Sequence, residues 1–287
     1  AFSILGGSRV FSLSSRQNDR ARWARRIVLL VLLLAIPFLL ASPKPMTASM
    51  VADSENGTKV LILNYHKIDD TFIALAVRPE DFDAQMKYLS EHGYHTITPD
   101  ELYDSLAGNA ELPENPVLIT FDDGYEDNYK NAYPILKKYD FKATIFVISS
   151  FLGVYPNYIT WDQAREMDAD NISIQSHTVD HKSMTDLSDD ELRTELVDSK
   201  KKIEKELGHQ IDYMAYPTGT YNLHIAKLVQ EAGYKAAFTI KYGNVDKASN
   251  IYALERVPVF HTEDTNKSFL ERIRYTPIFE RFGWIKS

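Results

Sequence analysis

The sequence predicts an α/β fold, a distorted (β/α) barrel of about seven parallel strands. Apolar runs that are typical of buried strands alternate with helical patterns from Lys59 onwards. Such an alternation favours a parallel sheet that is covered by helices. Ionisable or Gly/Pro-rich segments follow five of the apolar runs. In a parallel barrel, these strand ends form the functional face.

The predicted strands are mostly continuous apolar runs, so we expect both of their faces to be buried. A short strand is expected at 95–98, directly after the first helical pattern. The strands are predicted at residues 59–65, 95–98, 116–121, 142–148, 171–176, 211–217, 235–240 and 253–259.

Helices are predicted between these strands from apolar periodicity and from residues that start or stop a helix. Ser188 and Glu191 form a capping box for the longest helix, which Gly208 ends. Pro134 is expected to kink the helix in which it lies. The helices are predicted at residues 79–93, 126–139, 188–208 and 222–233.

Composition divides the chain into four segments. Residues 1–41 are a basic segment that ends in an apolar run. Residues 42–58 are small and polar, and we predict a linker there. Residues 59–275 are predicted to form one folded domain, and residues 276–287 a C-terminal tail.

The apolar run at 27–41 has fifteen uncharged residues directly behind Arg25 and Arg26. It is shorter than the roughly 20 residues of a spanning helix and close to the apolar part of a signal peptide. A cleaved signal peptide and an uncleaved membrane anchor both remain open. In either case the arginines are expected in the cytoplasm and the body outside it. A buried core helix is a third interpretation, which Pro43 and Pro45 disfavour.

The charge distribution excludes one class of partner. The net charge is −8, but residues 1–44 carry six Arg and one Lys against one Asp, which is +6, and the remainder is therefore −14. An acidic body cannot neutralise phosphates, so no nucleic-acid partner is expected. The absence of cysteine excludes disulfides, thiolate zinc sites and cysteine nucleophiles.

Two adjacent carboxylates, Asp122 and Asp123, follow the apolar run that ends at Phe121. Two such groups at the end of a buried strand repel each other and lose solvation, unless a cation lies between them. Adjacent residues on extended backbone point in opposite directions. One aspartate is therefore free to bind a metal while the other faces a substrate. The alternative is a plain Asp-Asp-Gly turn.

His177 and His181 are four residues apart, directly after another predicted strand. If that turn is helical, both imidazoles lie on one face. Two neutral imidazoles and one carboxylate suit Zn²⁺, or a similar dication, with water in the remaining positions. A histidine pair at this spacing is more often a surface feature, but here it accompanies the two aspartates in one α/β series.

These segments resemble a known family. "TFDDG" (120–124) and "SHTVDH" (176–181) are similar to the first two signature motifs of the carbohydrate esterase family 4 polysaccharide deacetylases. "AYPTGTYN" (215–222) resembles the third motif, and the resemblance covers roughly residues 59–261. The opening "LNYHKI" resembles the branch that deacetylates poly-N-acetylglucosamine in exported biofilm polysaccharide.

The resemblance implies the following roles. Asp122 matches the general base that activates the attacking water. Asp123, His177 and His181 match the metal ligands, with Zn²⁺ favoured and Co²⁺ or Ni²⁺ also compatible. The backbone N–H of Thr218 is expected to help stabilise the oxyanion.

The general acid that protonates the leaving amine is assigned to a histidine in this family. In many members it lies near the C-terminus, where this chain has His261. In the biofilm branch it follows the first strand, where this chain has His66. We favour His66, because it directly follows a buried strand, whereas His261 lies in a predicted loop.

The third motif departs from the family pattern. The usual arginine that orients the catalytic aspartate is replaced by Ala215. Arg256 is our candidate for the missing cation, and the alternative for Arg256 is a peripheral salt bridge. The fourth motif, an Asp and Trp pair, is not visible.

The sequence is therefore interpreted as a metal-dependent N-deacetylase of a cell-envelope or extracellular polysaccharide, exported or anchored by its N-terminal segment. Other substrates of the same family remain open: O-acetylated xylan-like polymers, peptidoglycan and chitin oligomers. From other classes, a non-catalytic carbohydrate-binding protein and an envelope scaffold also remain open.

Overall fold

The computed structural model describes residues 59–281, and in this part of the chain seven parallel strands close into a barrel. The ring order is β1, β3, β4, β5, β6, β7, β8 and back to β1, and β2 pairs in parallel with the first residues of β3. The predicted barrel is confirmed. The strands are β1 (Leu61–Tyr65), β2 (His95–Thr96), β3 (Pro116–Asp123), β4 (Ala143–Val147), β5 (Ile172–Ser176), β6 (Tyr213–Ala215), β7 (Ala236–Tyr242) and β8 (Leu254–Pro258).

Helices lie between the strands in sequence, as the alternation predicted. They are α1 (Pro79–Glu91), α2 (Pro99–Leu106), α3 (Tyr133–Lys138), α4 (Trp161–Asp168), α5 (Asp189–Leu207), α6 (Leu223–Glu231) and α7 (Thr265–Arg281). The capping box at Ser188 and the left-handed Gly208 (φ 82°) bound α5 as predicted.

Three helices, α2, α4 and α7, were not predicted. Two of them have only eight residues, too few to show a clear apolar period. Each of these two is started by a capping box, Thr98 with Glu101 and Thr160 with Gln163. The capping pairs were the available signal.

The helix predicted at 126–139 is confirmed, because the backbone is helical without interruption from 126 to 138, and it contains an irregularity in the middle. A π-helix covers Asn128–Ala132, and Pro134 lies in the first turn of the α-helix that follows. The missing N–H of Pro134 removes one helical hydrogen bond, and the π-helical turn lies directly before it. Pro134 therefore marks the irregular point of one helical segment, and no kink angle is needed to describe it.

The barrel separates two apolar cores. The outer core lies between the strands and the helices and includes Phe82 of α1 and Leu192 of α5. The inner core fills one end of the barrel, where Phe146 of β4 and Phe238 of β7 meet with ring centroids 5.1 Å apart. Strands β4 and β7 are not neighbours in the ring, so this contact crosses the interior.

Towards the carboxyl ends of the strands, the interior becomes polar. Because side chains alternate along a strand, apolar Ile62 is followed on the same face of β1 by Asn64, and apolar Leu118 on β3 by Thr120 and then Asp122. Arg256 follows Leu254 on β8 in the same way. The apolar layer below closes the barrel, and the polar layer above forms the floor of a site.

Within residues 59–281, no helix is both long and apolar enough to cross a membrane. The predicted signal peptide or anchor (1–41) and the linker (42–58) lie outside the described residues. Helix α7 runs through the predicted boundary at residue 275. The domain limits therefore stay predictions.

Candidate active site

The carboxyl ends of five parallel strands carry the predicted site residues to one end of the barrel. Asp122 and Asp123 are the last two residues of β3, His177 follows β5, and His66 follows β1. Arg256 lies in β8, which pairs with β1. The structure thus brings together side chains that are up to 190 positions apart in the sequence.

Asp123, His177 and His181 form a group with the donor set of a metal site. Their ligand atoms all lie within 4.8 Å of one another. The Asp123 Oδ1 atom is 3.5 Å from His177 Nε2 and 3.4 Å from His181 Nε2. Ligand atoms at about 2.1 Å from a tetrahedral ion lie about 3.4 Å from one another, so these separations fit Zn²⁺.

The histidine pair converges through a tight turn with left-handed residues, so the helical turn considered as a condition for this pair is not what brings the two imidazoles together. Thr178 (φ 68°) and His181 (φ 56°) both adopt the left-handed conformation. This turn brings the two ring centroids to 4.8 Å. Buried Glu195 of α5 holds the turn, because its Oε2 accepts hydrogen bonds from the backbone N–H groups of residues 179 and 180, at 2.8 and 3.0 Å.

Both imidazoles are held in the form that a metal requires. His177 Nδ1 is 2.8 Å from the carbonyl oxygen of Ala215, so Nδ1–H donates there and Nε2 keeps its lone pair towards Asp123. Burial lowers the pKa of His177 to about 3, and it also lowers the pKa of His181. Neutral imidazole is the ligand form at neutral pH.

Among residues 59–281, the ion-pair partners of the Asp123 carboxylate are His177 and His181, and no Lys or Arg pairs with it. Burial raises the pKa of Asp123 to about 6, and the charge of Asp122 adds to this, against the lowering effect of His66. A buried carboxylate in this state gains strongly from a bound dication.

Asp122 is satisfied by the protein. Its two oxygens accept hydrogen bonds from Arg256, at 2.8 Å from Nη1 and 2.7 Å from Nη2. Asn64 Nδ2 donates to Oδ2 at 3.0 Å. Burial alone would raise the pKa of Asp122, but the charge of Arg256 holds it well below its usual range. Asp122 is therefore ionised and fixed in orientation.

Arg256 is fully buried, and each nitrogen of its guanidinium donates a hydrogen bond. Besides Asp122, it donates from Nε to the Thr239 carbonyl at 2.7 Å and from Nη1 to Thr120 Oγ1 at 3.2 Å. The prediction that Arg256 supplies the cation missing at Ala215 agrees with this geometry. The alternative of a peripheral salt bridge is wrong, because the side chain is 0% exposed.

The two candidate acids differ in position. His66 Nε2 is 3.9 Å from Asp122 Oδ2, and its Nδ1 has no hydrogen-bond partner among residues 59–281. The ring of His261 packs edge-on against Phe72 at a centroid distance of 4.8 Å. The geometry thus favours His66 over His261 as the candidate acid, because His66 is the histidine beside Asp122.

Thr218 lies in a strained turn at the same end of the barrel. Its φ is 56°, and Gly219 after it has a φ of 71°. A Cβ on Gly219 would lie 2.8 Å from the backbone N of Ile240, so glycine is required for the loop to pack on β7. The hydrogen bond between His177 Nδ1 and the Ala215 carbonyl joins β6, the strand that leads into this loop, to the metal-ligand candidates Asp123, His177 and His181. The role of the Thr218 N–H stays a prediction.

Two positioning residues were missed by the sequence analysis, Asn64 and Glu195. Asn64 had a usable signal, because it lies two residues before His66 and therefore on the same face of β1. Glu195 had none, since an acidic residue in a long polar helix normally faces water.

Comparisons with known proteins agree with this geometry. A family model described as polysaccharide deacetylase matches residues 109–237. YxkH of Bacillus subtilis (strain 168), named as an unproven polysaccharide deacetylase, is 40% identical over 206 residues, which are 72% of this chain and 73% of YxkH. A poly-beta-1,6-N-acetyl-D-glucosamine N-deacetylase of Staphylococcus aureus (strain MRSA252) is 28% identical over 74% of this chain and 82% of its own length.

Solved structures show the same fold. The Streptococcus pyogenes deacetylase PplD, in complex with acetate, is 33% identical with a TM-score of 0.71, over 76% of this chain and 98% of that one. IcaB from Ammonifex degensii is 27% identical with a TM-score of 0.66, over 75% of this chain and 96% of that one.

Proposed function

The chain belongs to the polysaccharide deacetylase family, and on that premise we propose that it removes N-acetyl groups from a poly-N-acetylglucosamine-type polysaccharide with the help of a divalent cation. The observation that carries the proposal is that Asp122 and Asp123 have different partners. One carboxylate is ionised and oriented by Arg256, and the other faces two neutral imidazoles. The identity to the Staphylococcus aureus N-deacetylase supports the choice of polymer.

Asp123, His177 and His181 would hold the cation. One carboxylate and two imidazoles suit Zn²⁺ best, and Co²⁺ or Ni²⁺ can use the same ligands. When bound, such an ion supplies Lewis-acid polarisation of the acetyl carbonyl and lowers the pKa of a water.

The protein groups account for the proton transfers. Asp122 accepts a proton from the attacking water, because it is ionised at neutral pH and its two hydrogen bonds to Arg256 fix its orientation. His66, beside Asp122, donates a proton to the leaving amine. The N–H of Thr218 donates to the oxyanion that forms at the former carbonyl oxygen.

We also propose that the enzyme acts outside the cytoplasm, on acetylated polysaccharide of the cell envelope. Support comes from the sequence of residues 1–41, where Arg25 and Arg26 precede a fifteen-residue apolar run. A cleaved signal peptide and an uncleaved membrane anchor are both compatible with this proposal.

The rival class, a non-catalytic carbohydrate-binding protein, was supported by the missing arginine at position 215. Arg256 provides two hydrogen bonds to Asp122 from β8, which is separated from β3 only by β1, and this removes that support.

The test is acetate release from a panel of acetylated glycans, with and without a chelator. The panel contains β-1,6-linked poly-N-acetylglucosamine, chitin oligomers, peptidoglycan and acetylated xylan. We expect the greatest release from poly-N-acetylglucosamine, loss in chelator, and recovery with Zn²⁺, Co²⁺ or Ni²⁺. Acetate release that persists in chelator would refute the requirement for a metal. Release from another polymer alone would refute poly-N-acetylglucosamine as the substrate.

A further inference from the structure

Three side chains of the segment that follows β3 hold the backbone of the segment that follows β1. Asn128 Nδ2 donates to the carbonyl oxygen of His66 at 2.8 Å. Asp127 Oδ1 accepts from the backbone N–H of Ile68 at 2.7 Å, and Asn131 Nδ2 donates to the Ile68 carbonyl at 2.7 Å. We call Asp127, Asn128 and Asn131 the loop clamp.

One helical segment carries all three clamp residues. Asn131 lies four positions after Asp127 and three after Asn128, and side chains at these spacings share a helix face. Within the helical segment 126–138, a π-helical turn covers Asn128–Ala132. Such turns inside α-helices occur frequently at functional sites. Here the irregular turn contacts the residue that we propose as the general acid.

Asn128 is costly at its position unless the bond to His66 is useful. Its side chain is 1% exposed, and its Oδ1 has no hydrogen-bond partner among residues 59–281. A buried polar atom without a partner destabilises the fold. The amide orientation is nevertheless fixed, because both atoms that Nδ2 contacts, the His66 carbonyl oxygen and Asp127 Oδ1, are acceptors. Folding stability alone therefore does not explain an asparagine here.

The clamp completes the hydrogen bonding of residues 66–68. The Lys67 N–H donates to the Leu75 carbonyl at 3.1 Å, and the Val77 N–H donates to the Lys67 carbonyl at 3.0 Å. The Lys67 ammonium also pairs with Asp127, at 2.8 Å from Oδ2. With the three clamp bonds, every backbone polar group from the His66 carbonyl to the Ile68 carbonyl has a partner. The backbone that carries the His66 side chain is thus fixed.

The imidazole of His66 depends on this backbone for its position. Its Nδ1 has no hydrogen-bond partner among residues 59–281. Its Nε2 is 3.9 Å from Asp122 Oδ2, which is beyond hydrogen-bond distance. Since no hydrogen bond within the described residues orients the ring, the direction of its Cα–Cβ bond decides where the ring lies.

We propose that Asn128 is a positioning residue, which holds the His66 carbonyl so that the imidazole stays where it can protonate the leaving amine. Asp127 and Asn131 support the same segment. This inference rests on the proposed function, because it takes His66 as the general acid of that reaction. Asn128 itself does not touch the substrate and acts through His66.

The experiment compares Asn128→Leu with wild type on two substrates that differ in their need for an acid. In poly-N-acetylglucosamine a C–N bond breaks, and the amine nitrogen must take a proton as it leaves. In p-nitrophenyl acetate a C–O bond breaks, and the nitrophenolate leaves without a proton. We expect kcat on the polymer to fall by about 10- to 100-fold with little change in KM, because a misplaced acid transfers its proton poorly. Ester hydrolysis should stay close to that of wild type.

The double variant with His66→Ala separates positioning from a general loss of structure. If Asn128 acts through His66, adding Asn128→Leu to His66→Ala should not lower the polymer kcat further. Losses that multiply in the double variant would overturn the proposal. Equal losses on the polymer and the ester in the single variant would overturn it as well.

Asn131→Leu is the second variant, for use if Asn128→Leu does not fold. Asn131 is only half-buried, and its replacement removes the single bond to the Ile68 carbonyl. The polymer kcat should fall selectively, but less than in Asn128→Leu. No loss on the polymer, or the same loss on both substrates, would contradict the clamp.

Thr98→Ala is the matched control, because it also removes a side chain–backbone hydrogen bond. Thr98 Oγ1 accepts from the Glu101 N–H at 3.2 Å and caps α2. The loss of a cap lowers stability, but it should leave the ratio of polymer to ester rates as in wild type. A changed ratio in Thr98→Ala would show that the ratio reports stability and would overturn the assignment of Asn128.

Amide hydrogen exchange in chelator separates this inference from the proposed function. Asn128→Leu should speed exchange at the amides of Lys67 and Ile68 relative to those of β1. If wild type released no acetate from any glycan while this exchange still accelerated in the variant, the clamp on His66 would stand and the deacetylase would fall. Unchanged exchange at both amides would refute the clamp whatever the activity.

Discussion

Asp122 and Asp123 are neighbours in β3, yet they face opposite environments. The interior side of the strand gives Asp122 two hydrogen bonds from Arg256 and one from Asn64. Asp123, in the left-handed conformation at φ 75°, faces His177 and His181, which burial keeps neutral. The pKa of Asp122 is accordingly held below its usual range, while burial raises that of Asp123 to about 6.

The contrast explains how two adjacent buried carboxylates can both be useful. A carboxylate that already has a cation is a stable, ionised base with a fixed orientation. A carboxylate without one is a site for an external cation. The predictions below test whether the two environments are separable, in order of decreasing effect.

Asp122→Asn removes the base and keeps the shape. We expect acetate release to fall by a factor towards the upper end of about 10²–10⁴, because an amide cannot accept the proton. Initial rates on poly-N-acetylglucosamine at saturating Zn²⁺ measure this. Turnover close to wild type would reject Asp122 as the base.

Arg256→Leu leaves the charge of Asp122 buried without a partner. Such a change costs about 3–5 kcal/mol of folding stability. Arg256→Lys keeps the positive charge but loses the two parallel hydrogen bonds to Asp122. Its folding stability should therefore lie between that of Arg256→Leu and that of wild type. Chemical unfolding with metal removed gives the free energy of each variant.

The matched control is Arg193→Leu, because Arg193 pairs with Glu231 at an exposed position. Its cost should be within about 1 kcal/mol. Equal costs at positions 193 and 256 would show that the buried pair is not structural.

His66→Ala should lower kcat by about 10²–10³, because it removes the proposed donor to the leaving amine. His261→Ala should have a much smaller effect, since its ring packs on Phe72 instead of lying beside Asp122. Both variants are compared by kcat at saturating substrate. A larger loss of kcat in His261→Ala than in His66→Ala would assign the general acid to His261, in the loop after β8.

In the metal-free protein, the free energy of unfolding should depend on pH because the pKa of Asp123 is raised in the native state. Asp123 has a folded pKa of about 6 against an ordinary value of 3.8. Between these values the native state keeps a proton that the unfolded state has lost, so the contribution of Asp123 to the unfolding free energy decreases as pH rises. The decrease is about 2–3 kcal/mol from pH 4 to pH 6.

His177 and His181 contribute a slope of opposite sign, because burial lowers their pKa values and the unfolded state therefore binds more protons than the native state in this range. The effect of Asp123 is therefore read as the difference between wild type and Asp123→Asn in chelator. A difference that is constant or grows with pH would contradict the assigned environment.

The sequence predicted the barrel and the metal group, because both depend on local patterns. Apolar runs mark the strands, and strand ends in a parallel barrel must meet. The turn at Thr178 was not predictable in the same way, since its left-handed residues carry no glycine signal. The hydrogen bonds of Glu195 to that turn depend on the packing of α5, which no local pattern encodes.

The most direct test is Zn²⁺ binding by wild type, Asp122→Asn and Asp123→Asn, measured by equilibrium dialysis at neutral pH. The two environments predict that Asp122→Asn retains stoichiometric Zn²⁺ like wild type, whereas Asp123→Asn loses it. Retention of Zn²⁺ by Asp123→Asn, or its loss from a folded Asp122→Asn, would contradict the assignment of one carboxylate to the cation and the other to the base.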